Sequence, residues 1–404
     1  MSSTEIDKFM NIANSIYKCL GIVSYHKTGR LQQRSWTYAV IFAISVFDLA
    51  TVALAETTFI ILNYRNNNYA DIASTFSYLG FAILGLFKIL FVLYKKKDLT
   101  NLMKQLEKLF PKNNAEKEQI ELKKYLNYCR NVSIGFTILN IILIATYNLY
   151  AITEYLLYER LLKTRIVGKN LPYVMYIPWD WRDNWTYYFL YAFEDLAGFV
   201  ASTGQLAGDL TLSAVSVQLI MHYDNIARLI AEYKVKATEN SVTYEKDYKE
   251  DVTYLANVVV YHEAVLKLAD ITNSIFGIPL LVNFMSSSFI ICFVGFQIAL
   301  GAPADAQIKL FLFLVALSAQ VYLVCHHGQL LIDSSVGISY AVYEHNWINA
   351  DTRFKKMLVF MARRAQQPAL LKATVFVDIS RSTMTDVIQM SYKFFALLRT
   401  MYSD

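Results

Sequence analysis

Few residues of this 404-residue chain are spaced for bond-making chemistry. The nearest approach to a metal motif is `HEAVL` at His262, which lacks the second histidine that would complete a zinc site. Cys19, Cys129, Cys292 and Cys325 are far apart and show no CxxC spacing. They read as small buried hydrophobes, not as a disulfide framework or a zinc cluster. Phosphate-cradling GxxxxGK and GxGxxG loops do not occur. The residues therefore predict neither an enzyme nor a cofactor carrier. What stands out instead is charge in apolar surroundings. Glu154 and Glu194 lie close to the ends of apolar stretches, where a solvated helix end is the simpler expectation. Lys393 and Arg399 sit inside the terminal `SYKFFALLRTMYSD`.

The elements that carry these groups must be helices in lipid. Charged residues make up 18% of the chain and hydrophobic residues 55%, against about a quarter charged in a soluble domain. Only 14 glycines and 6 prolines interrupt it, which favours long helices. Apolar stretches of about 20 residues, enough to cross a ~30 Å hydrocarbon core, predict seven spans. They are Trp36–Leu62, Ile72–Tyr94, Asn131–Leu157, Tyr187–Met221, Ile271–Leu300, Ile308–Cys325 and a weaker one near Asp378–Met401. Lysine and arginine cluster in residues 1–35, in the connection opening `YKKKDL`, and in the connections after spans four and six. The positive-inside bias then puts the N-terminus in the cytoplasm and, with seven spans, the C-terminus outside. Residues 1–35 are polar and basic, so no cleavable signal is expected. The sequon at Asn184 falls in an outer connection and is the predicted glycan site, whereas `NVS` at Asn131 lies at an inner helix entrance and should stay bare.

Several helices should outrun the bilayer. Leu219, Ile226, Leu229, Ile230 and Tyr233 continue the apolar stripe of span four beyond Met221. A helix reaching Lys236 would be about 75 Å long. `YKEDVTYLANVVVYHEAVLKLADI` leads into span five as an amphipathic run, and span six continues through `HHGQLLIDSSVGISYAVYEHNW`. `RFKKMLVFMARRAQ` forms one more short amphipathic helix, stopped by Pro368. The expected organisation is a cytoplasmic segment 1–35, transmembrane helices 1–4 over 36–221, cytoplasmic extensions over 222–270, helices 5–6 over 271–325, a cytoplasmic helical anchor over 326–377, and helix 7 over 378–404. The fold class is an all-α membrane protein.

Residues 325–402 carry a specific pattern: `GQ` at Gly328 with Asp333 following, Tyr343-x-x-x-Trp347, `RAQ`-x-`P` ending at Pro368, `F`-x-x-`IS`-x-x-`T` from Phe376, and `SYKFFALL` from Ser391. This resembles the C-terminal signature of insect odorant receptors; the N-terminal half is similar only in topology and hydropathy. The resemblance implies an odorant-gated, non-selective cation channel in the plasma membrane of olfactory sensory neurons. It implies four subunits around one pore, with the last helix lining it and a ligand site in the outer half of spans two to six of one subunit. The connection between spans four and five is short, roughly Lys236–Lys249, whereas the shared co-receptor carries a long insertion there. The chain therefore looks like a ligand-tuning subunit that joins the co-receptor in a heterotetramer. Its expected partners are that subunit, a volatile organic ligand and membrane lipid, with no nucleic acid and no cofactor.

Placed on a helix at about 100° per residue, Asp378, Arg381, Ser382, Thr385, Asp386, Gln389, Tyr392, Lys393, Ala396, Arg399 and Thr400 share one arc. Such a stripe is costly in lipid but not beside pore water; the competing reading is a helix lying in the membrane interface. Gln389, Lys393, Phe395, Ala396, Arg399 and Thr400 are the expected pore-lining residues, with the narrowest point near Phe395, Ala396 and Thr400. The two positive charges sit awkwardly in a cation path unless their side chains reach the rim or pair with a neighbour. A pocket for a small apolar ligand should be aromatic and aliphatic. The outer halves of the spans offer Phe76, Leu79, Gly80, Ile83, Tyr147, Tyr150, Ala151, Tyr188, Tyr191, Phe199, Phe289 and Phe293, with a tyrosine hydroxyl to orient a ligand oxygen. A G-protein-coupled-type receptor is the alternative, but it needs an outside N-terminus and the `DRY` and `NPxxY` motifs absent here. A transporter should show internal repeats or paired helix breaks. `IFGIPLL` around Pro279 has no counterpart in a second repeat.

Overall fold

The computed structural model describes residues 4–26, 36–64, 69–163, 168–182, 184–237, 244–301 and 304–403. Lys27, Arg30, Arg34 and Arg65, and much of the connection between spans four and five, lie outside the described residues. Two short helices, α1 (Glu5–Phe9) and α2 (Asn11–Cys19), precede the long α3 (Trp36–Tyr64) and α4 (Tyr69–Tyr94). α5 (Lys96–Leu109) and α6 (Asn114–Gln119) follow, then α7 (Leu122–Glu154), which runs on as a π-helical turn over Tyr155–Leu161. α8 (Thr186–Glu232), α9 (Tyr244–Ala299), α10 (Ala304–Glu344) and α11 (Thr352–Ala365) come next. A small antiparallel hairpin, β1 (Leu371–Ala373) and β2 (Val377–Ile379), leads into α12 (Arg381–Ser403).

Five of these helices, α3, α4, α7, α9 and α10, are long and apolar enough to cross a membrane. α8 falls outside that group, yet almost every residue from Val200 to Tyr223 is buried. Its small and polar residues, Ser202, Thr203, Gly204, Ala207 and Gly208 among them, let neighbours approach closely. At Gly85 of α4, a β-carbon would stand 2.7 Å from the Ala201 carbonyl oxygen of α8. The opposite case is α3: only 22% of its most apolar stretch is buried, so most of its hydrophobic surface is left for lipid.

Forty-seven residues make α8 roughly 70 Å long. It ends at Glu232, earlier than the apolar stripe predicts. Tyr233 turns extended, and Asp251 of α9 accepts hydrogen bonds from the Lys236 and Ala237 backbone N–H groups (3.2 and 2.9 Å) and from the Tyr233 hydroxyl (2.6 Å). α9 passes through Pro279 without interruption. The overrunning ends of α8, α9 and α10 pack with α1, α5 and α11 into one basal layer around Phe9, Leu102, Leu106, Tyr223, Val265, Ile338 and Phe354.

The C-terminal pattern builds the joint between this layer and α12. Gly328 of α10 is needed because a β-carbon there would stand 2.5 Å from the Ile379 carbonyl oxygen of β2. Gln329 bonds Asp333 (2.8 Å), and its Oε1 accepts from the Arg381 N–H (3.4 Å). Thr383 Oγ1 accepts from the Ser380 N–H (3.0 Å) and donates to the Asp378 carbonyl (2.9 Å), closing the first turn of α12. Asp378 therefore belongs to the hairpin, and the last helix begins at Arg381, three residues later than its sequence suggests. Asn273 of α9 clamps the hairpin's other side, bonding the Leu370 carbonyl and the Lys372 N–H (2.8 and 3.0 Å).

Candidate functional site

In the half of the bundle away from the basal layer, α3, α4, α7, α8, α10 and the loop at Tyr173 leave a cavity with about 530 Å³ of unfilled space, its mouth included. Leu49, Val52, Phe81, Leu143, Ile144 and Phe313 make it apolar; Tyr78, Tyr147 and Tyr173 add three aromatic rings, with Tyr78 edge-on to both others (6.1 and 5.2 Å). Two carboxylates lie at its margin. Glu56 lines it, and Glu194 accepts from the Tyr173 N–H (2.9 Å), holding the loop against the bundle. Glu194 is fully buried, not a solvated helix end. Lys309 of α10 hangs over the rings of Tyr147 (4.3 Å), Tyr150 (5.1 Å) and Tyr78 (6.0 Å), a cation–π arrangement that suits a long side chain with an apolar stem.

Of the residues expected from sequence to form a ligand site, Tyr147 alone lines this cavity. Tyr150 shares Lys309 with it. Phe76 stacks on Phe293 at 5.2 Å between α4 and α9, and Gly80 abuts Ile290. Leu79 is half-buried, while Ile83 and Phe199 keep much of their surface exposed. Tyr188 is 64% exposed. Ala151 and Tyr191 belong to a separate small cluster with Tyr187, where the Tyr191 hydroxyl bonds the Asn148 carbonyl. Phe289 stacks on Phe394 of α12 at 4.7 Å. On α4 the cavity is closed by Tyr78, Phe81 and Ala82, each one residue from Leu79, Gly80 or Ile83, and on α8 by Ala197, Gly198, Ala201 and Ser202. α3 contributes to it and α9 does not. Lys309 and Tyr173 carried no aromatic-helix signal. Glu154 is half-buried at the end of α7.

α12 is buried along one side only. Thr383, Val387 and Ser391 are covered, and Phe394, Phe395 and Leu398 are half-buried, with Phe395 turned toward Gly295 of α9. Gln389, Lys393, Ala396, Arg399 and Thr400 are exposed, together with Arg381, Ser382, Thr385 and Asp386. Phe395 thus stands apart from the other expected pore residues. Asn184 is exposed just ahead of α8 and accepts from the Trp185 N–H (2.7 Å). Among the described residues, no group of His, Cys, Asp and Glu side chains is arranged to hold a metal, and all four cysteines are free.

Comparison with known proteins fits this geometry. The 7tm Odorant receptor family matches residues 68–392. Odorant receptor 85c of Drosophila melanogaster is 44% identical over 98% of this chain and 99% of its own, and odorant receptor 85b of the same species is 42% identical over 99% and 100%. The structure of the olfactory receptor OR5 of Machilis hrabei in complex with eugenol superimposes with a TM-score of 0.79 at 13% identity, covering 98% of both chains. At that identity the likeness is one of fold. The family match and the full-length relatives together show that this chain belongs to the insect odorant receptor family, multi-pass membrane receptors and not enzymes.

Proposed function

We propose that the chain is a ligand-tuning subunit of an odorant-gated, non-selective cation channel. It takes a small volatile molecule into the aromatic cavity and opens a pore at the centre of a heterotetramer with the co-receptor. The observation that carries this reading is α12, whose polar arc the rest of the chain leaves uncovered while its other side packs on α9. A continuous polar stripe needs water or a polar partner at membrane depth, and four such stripes around an axis supply both. Gln389, Ala396 and Thr400 line the path; Lys393 and Arg399 extend toward its aqueous rim. The N-terminus and the basal layer are cytoplasmic, and Asn184 carries a glycan outside. The protein works at the plasma membrane of olfactory sensory neurons.

The cavity suits the ligand class. OR5 of Machilis hrabei was solved with eugenol, a small and largely apolar molecule. Here the Tyr78, Tyr147 and Tyr173 rings offer π-faces and edges, and the walls are otherwise aliphatic. Whole-cell recording tests the reading. Cells expressing this chain with a co-receptor, and no added G-protein components, should pass cation current on exposure to a broad odorant panel. Ala396→Cys or Thr400→Cys should make that current sensitive to a thiol reagent. Surface-expressed receptor that stays silent across the panel sinks the channel reading. Modification at Phe395→Cys alone moves the pore to the other face of α12.

A further inference from the structure

A second cavity lies below the first, between α4, α5, α8 and α9, with about 510 Å³ of unfilled space including its mouth. Its walls include Phe91, Val92, Leu99, Phe276 and Leu280. Its polar edge is a buried network. Lys88 donates to Asp209 (2.7 Å), and the Gln320 amide donates to Asp209 (2.7 Å) and Asn283 Oδ1 (3.1 Å). This network fixes which way Asn283 points. The Asp209 carboxylate, paired with Lys88 at 2.7 Å, accepts, so the Gln320 nitrogen faces it; the Asn283 oxygen then faces Gln320. That leaves the Asn283 Nδ2 donor, on a residue 1% exposed and lining the cavity, with no partner. Lys88 is already matched by Asp209, and Lys95 at the edge pairs with Asp98 (3.0 Å). An added charge would therefore be uncompensated.

We infer that this cavity is a second ligand site, taking a small uncharged carbonyl compound such as a ketone, aldehyde or ester whose oxygen accepts from Asn283 Nδ2. The polar edge of the site lies next to the wall of the first cavity. The Gln320 amide nitrogen, its two N–H groups already directed to Asp209 and Asn283, lies 3.4 Å from Gln205 Oε1, and Gln205 donates to the carbonyl of Phe81 (2.8 Å), a residue of the first cavity's wall.

Photolabelling tests this on the full chain, co-expressed with a co-receptor subunit in cell membranes. The probe is a nine-carbon methyl ketone bearing an aliphatic diazirine, with labelled residues mapped by mass spectrometry. Saturable labelling is expected in two separate places, residues 143–147 or 197–202 for the first cavity and residues 275–283 for the second. Leu280→Trp, which fills the second cavity, should cut labelling of 275–283 about tenfold and leave the first cavity's labelling unchanged. Val92→Phe, from the facing wall, serves if that variant does not reach the surface. Asn283→Leu should lower ketone labelling of 275–283 about fivefold, one hydrogen bond's worth, and leave labelling by the corresponding diazirine alkane unaltered. Labelling confined to the first cavity overturns the second site, as does labelling of 275–283 that resists both filling variants. Ketone labelling indifferent to Asn283→Leu overturns the carbonyl assignment. Labelling at 275–283 without any at the first cavity would leave this site standing and sink the odorant reading of the first.

Discussion

The two ends of the bundle are built differently. The basal layer and the helices rising from it share one continuous hydrophobic core, running from Ile6 to Val387 and including residues of α1, α5, α7, α8, α9, α10 and α11. Around the upper cavity, burial is divided among three smaller clusters, centred on Val52 and Ala201, on Val294 and Phe313, and on Tyr187 and Tyr191. A continuous core deforms as a unit, whereas separate clusters leave gaps between them that can change shape. The basal end is suited to holding geometry and the upper end to accommodating guests.

The contrast is broken most completely at the joint below α12. Gly328→Leu forces side-chain atoms into the Ile379 backbone. Surface expression should fall to near background, a loss of several kcal/mol, while Gly337→Ala, with open space around it, should be neutral or slightly stabilising. Normal expression of Gly328→Leu would show that the hairpin does not bear on α10.

Acid probes the basal core next. Burial pushes both His222 and His262 down to about 4 from the ordinary 6.5. The unfolded chain therefore takes up protons first as pH falls through 6.5, and the folded chain only near 4. The stability contributed by these two histidines is full above pH 6.5 and declines between 6.5 and 4, by up to ~3 kcal/mol each. On acidification across that window, melting of purified receptor should fall more steeply, or rise less, in the wild type than in the variant carrying His222→Phe and His262→Phe. An acid response equal in the wild type and that double variant contradicts the burial of these rings.

Filling the upper cavity should cost less and change function alone. Ile144→Trp is expected to raise the half-maximal ligand concentration by about tenfold, ~1.4 kcal/mol, at unchanged surface level; a matching loss of expression would mean the upper clusters are as tightly coupled as the basal core. The smallest effect is predicted for Gln329→Ala, which removes the acceptor for the Arg381 N–H and leaves the cap to Thr383. A loss of ~0.5–1 kcal/mol, read as a small shift in melting, would set the weight of that single bond.

Much of the helical framework was legible because hydropathy and helix breakers act locally. Tyr94 closes α4 as its apolar run predicts, and Pro368 follows α11. The cavity was not legible, for a physical reason. In lipid, both faces of a helix such as α4 are apolar, so Ile83 beside the membrane and Phe81 beside the cavity look alike. The better signal was small size and polarity. Gly85, Ala201 and Ser202 mark where α4 and α8 meet, and the lower hydropathy of α8 marks the centre of the bundle, not its edge. Glu194 was misread because a carboxylate near a helix end usually meets water, and only the folded loop reveals the Tyr173 N–H it accepts.

The joint at Gly328 and Ile379 also sets a mechanical advantage. α12 spans 23 residues, about 35 Å, from a pivot tied to both α9 and α10. A tilt of only ~5° about that pivot sweeps the far end by ~3 Å, about the width of a water molecule. A short hairpin clamped at two points thereby converts a small angular change among packed helices into a displacement several times larger at the far end of α12.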